Sequence, residues 1–277
     1  MYYDYAAIVG DHARGMELEL KMSFWDHLEE LRRRTIYCLV TVFGIAIFCF
    51  IFGLKSADIG GIKVYYPFPE LYDNINTQIF NMIRNDLIRD PRIQLIPIGI
   101  ADPVIVQLEI SLFLGILFGM PMIVYQFGKF VSPGLYPHER AILIKTAFPA
   151  TFLFALGCGF AYYIIIPFTI DFLYGFAFAM DVQPFLSLES FISFVIIFLI
   201  AYGLVFELPI VMVGLTRLGT VSAEFWAENW RYAFVAMVIF GAIVTPDGSG
   251  ITQLIVAMPM MVLYVIGYII SKRVQKG

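Results

Sequence analysis

The chain has 277 residues, 60% of them hydrophobic and only 14% charged, with a mean hydropathy of +0.81. No water-soluble domain of this length needs so much apolar surface, so the composition excludes an ordinary soluble enzyme and predicts an all-α, polytopic membrane protein. A net charge of −4 gives no electrostatic case for nucleic acid, and in a membrane protein the placement of cations matters more than their sum.

The first twenty residues lack both the basic leader and the apolar stretch of a signal peptide, so no cleavage is expected. Ser23-Phe24-Trp25-Asp26 reads as a capping-box-like start, with an acid near the positive end of the helix. Phe24, Leu28 and Leu31 then share one face, which predicts an interfacial helix running directly into the first span. Glu29 with Arg33 and Glu30 with Arg34 are i,i+4 pairs, each of which can form a weak ion pair on a solvated face.

A crossing needs roughly 20 mostly apolar residues, and six regions qualify or nearly do: about 35–54, 103–127, 146–180, 191–215, 232–245 and 251–270. The 146–180 run holds Pro149 and Pro167 and is long enough for one kinked helix or two spans. Glu207 and Pro209 interrupt the fourth run, and Pro259 lies inside the sixth. The fifth run would rise only about 21 Å as a helix, short for a full bilayer.

Between the first two runs lies a long loop, 55–102. There Leu71, Ile75, Ile79, Ile83 and Leu87 recur every four residues, with Asp73, Asn74, Asn76, Asn81, Asn85 and Asp86 between them. That spacing predicts an amphipathic helix lying on the outer face and capping the bundle, a lid without chemistry.

Lysine and arginine placement sets the topology. Thirteen of the 18 basic residues precede the first run, follow the second or fourth, or lie at the C-terminus. Splitting the third run would put the Arg217/Arg231 loop and the Lys272/Arg273/Lys276 tail outside, so one crossing there is consistent. Six spans with both termini in the cytoplasm is the expectation. Cys38, Cys49 and Cys158 fall inside apolar runs and read as small buried or lipid-facing hydrophobes.

His27-Leu28-Glu29-Glu30-Leu31-Arg32 resembles the His-Leu-x-Glu-Leu-Arg segment that precedes the first span of TatC proteins. Pro121 with Tyr125-Gln126, and then Leu135-Tyr136-Pro137-His138-Glu139-Arg140, are similar to that family's first cytoplasmic loop. Phe206-Glu207-Leu208-Pro209 and Thr245-Pro246-Asp247 resemble two further family segments, in order. The resemblance implies a receptor subunit of the Sec-independent, twin-arginine protein translocase in the cell membrane. Such a receptor binds paired-arginine signal peptides of folded proteins and recruits single-span TatA- or TatB-type partners into an oligomeric complex, with export driven by the proton gradient.

By motif match the resemblance assigns Glu30 and Glu139 to the signal peptide, with Arg32 and Phe130 on the same surface. A carboxylate meets a planar guanidinium with two parallel charge-assisted hydrogen bonds, which a lysine cannot reproduce. The resemblance further implies that Glu207, an acid inside a span, meets a polar residue of a partner helix, and that Asp247 and Gln253 belong to a docking site. An acid in that position costs several kcal/mol unless it is neutral, paired or facing water.

Two rival readings are weaker. Glu29-Glu30-x-x-x-Arg34 matches a string of membrane-embedded prenyl-protein endopeptidases, yet His12, His27 and His138 all lie outside the apolar runs, so no metal site or general base can be assembled at depth. A small-solute or ion secondary transporter could use Glu207 and Pro209 in a broken helix, yet no internal repeat relates the two halves. No nucleotide-binding loop is present, and no cofactor is expected.

Overall fold

The computed structural model describes residues 24–59, 62–131, 147–182, 185–245 and 250–276. The first helix, α1 (Phe24–Ile51), runs without interruption from the charged entrance segment through the first apolar run. It packs along α3 (Asp102–Val131). Gly115 makes that approach possible, since a Cβ there would collide with the carbonyl oxygen of Val42. Small residues at helix interfaces let backbones close up where lipid supplies no hydrophobic drive between helices.

The loop between these helices is more ordered than its sequence suggested. Two antiparallel strands, β1 (Phe52–Ile59) and β2 (Ile62–Pro69), pair from Phe52 opposite Pro69 to Ile59 opposite Ile62. The hairpin starts immediately after α1, so the first helix ends at Ile51 rather than near Leu54. The amphipathic helix follows as α2 (Ile75–Leu87), with Ile83 and Leu87 buried.

Asn74 and Asn76 fit the polar side of that amphipathic pattern, but both are fully buried. The reason is hydrogen bonding. Asn74 Oδ1 accepts from the Thr77 amide at 2.9 Å and caps the helix. Its Nδ2 donates to the carbonyls of Phe50 and Leu71 and to Gln107 Oε1. Asn76 Nδ2 donates to Ser111 on α3. These amides clamp α2 onto the ends of α1 and α3.

The third run is one continuous helical path, α4 (Ala147–Phe160), a single π turn at Ala161–Ile165, and α5 (Ile166–Ala179). Pro167 explains the π turn: it lacks an N–H, and its ring would collide with the carbonyl four residues back, so the ladder slips by one. Ile166 accordingly bonds to the Ala161 carbonyl, five residues behind. Tyr162 on this turn donates its hydroxyl to Asp86 of α2 at 2.8 Å. A short parallel pair, β3 (Gln94–Ile96) with β4 (Phe185–Ser187), joins the two connections at the same end of the bundle. Arg92 stacks on Phe178 at 3.8 Å.

The centre of the bundle is α6 (Leu188–Phe206), where Ile192, Val195 and Phe198 are completely buried. It lies against α4 through two glycines. A Cβ at Gly157 would stand 2.5 Å from the Tyr202 carbonyl, and one at Gly203 the same distance from the Phe154 ring. At Glu207 the path breaks and restarts as α7 (Leu208–Arg217), with Pro209 in its first turn. Beyond a short α8 (Ala223–Glu228), α9 (Trp230–Val244) and α10 (Gly250–Lys276) complete the fold. Tyr202 donates to the Val256 carbonyl at 3.1 Å, fastening α6 to α10.

Among the described residues, five helical segments are long and apolar enough to cross a membrane. The 15 residues of α9 form a shorter apolar helix, about 22 Å long, against about 30 Å of hydrocarbon.

Candidate functional site

The entrance site is built where the start of α1 meets the end of α3. Glu30 faces α3 and is only 8% exposed, although its neighbours Glu29 and Leu31 lie open. Arg34, one turn on, donates to Glu30 Oε1 through Nε at 2.9 Å and also through Nη2. Its Nη1 reaches across to Gln126 Oε1 on α3 at 3.1 Å. One guanidinium therefore satisfies a carboxylate on its own helix and an amide on the next. Glu30 Oε2 is buried and has no partner among the described residues. Nearby, the His27 and Phe130 rings stack with centroids 4.5 Å apart.

In front of this network lies an open concavity of about 560 Å³ lined by Asp26, Glu29, Glu30, Arg32, Arg33, Ile36 and Tyr37. The lining mixes three acids with two arginines and the apolar bodies of Ile36 and Tyr37, so it offers both signs of charge beside an apolar surface to an elongated ligand. Of the two i,i+4 pairs in the sequence, only Glu30–Arg34 closes among the described residues. It is held in a partly buried seam, where breaking it costs more than at an exposed surface.

A second centre lies in the membrane-spanning part. Glu207 caps the end of α6 and opens α7, its backbone helical at φ −73 and ψ −19. Its side chain is half-buried, and Oε1 is buried with no partner among the described residues. Pro209 follows two residues later, so the ladder is already open where the acid sits.

Over residues 26–259 the sequence matches the family described as the Sec-independent protein translocase protein, TatC. The chain belongs to the TatC family. It is 37% identical to the TatC protein of Cenarchaeum symbiosum over 91% of this chain and 96% of that one. With TatC of Aquifex aeolicus it shares 33% identity, over 91% and 95% of the two chains. A crystal structure of the twin-arginine translocase receptor TatC superposes with a TM-score of 0.74 at 30% identity, covering 90% of this chain and 99% of that one. The chain is thus a multi-pass membrane component of the Tat protein translocase, and the secondary-transporter reading finds no relative to support it.

Within this TatC fold the site residues named from sequence divide into groups. Glu30, Arg32 and Phe130 come together at one end of the bundle, Glu30 and Phe130 through Arg34–Gln126 and His27. Glu139 and Asp247 lie outside the described residues. Gln253 is half-buried in the first turn of α10, its backbone against Gly241 of α9. Glu207 and Gln253 do not share a level. The Tyr202–Val256 bond and the packing of Gly267 on Met212 set a register that leaves them about 12 Å apart along the axis.

Sequence reasoning missed Gln126 as a member of the entrance network, although it sits in the Tyr125-Gln126 string that carried the family resemblance. It missed the hairpin as well, although Gly60-Gly61 between Ile59 and Ile62 is a recognisable hairpin signal.

Proposed function

We propose that this chain is the receptor and scaffold of a twin-arginine translocase, lying in the cell membrane with both termini in the cytoplasm. The orientation rests on the lysines and arginines, which gather before and in the first turns of α1, at and beyond the ends of α3 and α7, and in the last turns of α10. In this orientation the Glu30 concavity opens to the cytoplasm, where export substrates are made.

The observation that carries the reading is the division of labour on Glu30. One oxygen is committed to Arg34, and the other is buried with no partner among the described residues. A guanidinium from a signal peptide would supply the missing donor and form a charge-assisted bond in a partly desolvated seam. Arg34 holds the Glu30 side chain in place while no peptide is bound. Glu139 would take the second arginine, with Arg32 and Phe130 shaping the surface that receives the residues around the pair.

Single-span partners of the TatA or TatB type would dock on the membrane-facing side, where Glu207 Oε1 has no partner among the described residues and α9 is short. Asp247 and Gln253 form a separate contact near the turn between α9 and α10. Transport energy comes from the proton gradient. Affinity-tagged chain extracted in mild detergent is expected to bring down both a twin-arginine precursor and a single-span protein. Recovery of neither, from cells making both, would overturn the assignment.

A further inference from the structure

Glu109 is a further acid inside the apolar segments. It lies on α3 and accepts the Ser193 hydroxyl of α6 on Oε1 at 2.6 Å. Its Oε2 is buried and unpartnered among the described residues. A carboxyl held inside a span with one oxygen unserved is costly, and such groups mark contacts or pathways.

Its position on α6 gives it meaning. From Val195 to Phe206 every residue is buried except Ile197, Ile200 and Leu204. With Ser193 before them and Glu207 after, these three recur at steps of three and four, one narrow strip of a helix otherwise enclosed by its neighbours. Ile197 is 49% and Leu204 53% exposed. The strip is apolar along its length, and the carboxyl groups at its two ends, Glu109 of α3 beside Ser193 and then Glu207, each keep a buried oxygen just beneath it with no partner among the described residues. Fourteen positions separate Ser193 from Glu207, about 21 Å or four turns.

We infer that this strip is a two-point docking face for a membrane-spanning helix that carries hydrogen-bond donor side chains about four turns apart, one for Glu109 and one for Glu207. The inference rests on the partner-docking role proposed for Glu207 and extends it to a second anchor. Chemical complementarity selects this occupant. Acyl chains could cover Ile197, Ile200 and Leu204 but would leave both oxygens without a donor, whereas a helix with an apolar face between two amides satisfies all five positions.

The test uses the full chain in phosphatidylethanolamine–phosphatidylglycerol vesicles and a synthetic leucine–alanine span with glutamines fourteen positions apart. Association is read by energy transfer between labels. Interhelical hydrogen bonds in membranes are modest, so each anchor is expected to contribute roughly threefold to tenfold in affinity. The two-glutamine span should bind tightest, either single-glutamine span less, and the span without glutamine least. Moving the glutamines to twelve positions apart puts them on different faces and should reduce binding to the single-anchor level.

Glu109→Leu should bring the two-glutamine span down to that level. Glu109→Gln keeps an acceptor, because its amide donates to the Ser193 oxygen and turns its own oxygen toward the span, and should retain most of the affinity. If Glu109→Leu binds like the parent while Glu207→Leu loses affinity, the second anchor is wrong and the Glu207 contact stands. If neither acid affects binding, lipid covers the strip and the partner-docking reading falls with the inference. Binding of a twin-arginine peptide to the same vesicles reports on the receptor assignment separately.

Discussion

Glu30 and Glu207 are both acids set among apolar helices, and each leaves one oxygen buried without a donor among the described residues. Their surroundings differ in kind. Around Glu30 the fold supplies a guanidinium and, through it, an amide from the neighbouring helix. Around Glu207 no side chain on the described residues bonds Oε1, and the helix itself is interrupted. The first acid is held in place by a cation at one end of the bundle; the second leaves a demand for a donor that no described residue meets. A receptor that must read an arginine from water and hold a partner in lipid needs both arrangements.

Stability measurements should separate the two. Arg34→Ala leaves Glu30 largely buried with no cation, and removing one partner of such a pair costs about 3 kcal/mol. A lower thermal midpoint in detergent is expected, and an unchanged one would mean that water already serves the carboxylate. Glu207→Leu should act with the opposite sign. Replacing an unpaired intramembrane carboxyl with an apolar side chain should raise stability by about 1 kcal/mol while weakening recovery of single-span partners. If instead it lowers the midpoint, Glu207 has a structural partner and the contrast with Glu30 disappears.

The smallest effect lies at the end of the bundle occupied by α2, far from either acid. Arg92, through its side chain and backbone amide, holds the Asp90 carboxyl below its ordinary value of 3.8, at about 2. A depressed pKa contributes stability that is present above the unfolded value and lost as pH falls through the folded one. Protection of the Arg92 amide, which donates to Asp90 Oδ1 at 2.9 Å, is expected to stay level from pH 7 to 4 and to drop as pH falls through about 2. A drop near pH 4 would show the bond to be absent in solution.

What the sequence disclosed follows from the range of the forces involved. Apolar length is a local property, and the long helices coincide with apolar runs. The four-residue recurrence in 71–87 likewise became α2. Contacts between distant segments were not legible. Asn74 and Asn76 read as the solvent side of an amphipathic helix, because composition cannot reveal that Phe50, Gln107 and Ser111 would fold over them. At the entrance, the i,i+4 spacing of Glu30 and Arg34 was visible, but not that Gln126, 92 positions away from Arg34, would complete the seam. Glu109 stands in the sequence as an acid in an apolar run, and only the fold brings Ser193 opposite it.

The central claim is that the free oxygen of Glu30, together with Glu139, receives the paired arginines of a signal peptide. Titration of a fluorescent twin-arginine peptide onto the reconstituted chain, beside the Glu30→Ala/Glu139→Ala double variant and a twin-lysine peptide, tests it most directly. Saturable binding of the arginine peptide to the parent is expected, with binding abolished in the double variant although it still inserts, and strongly weakened for the lysine peptide. Equal affinity of the double variant for the arginine peptide would contradict the account.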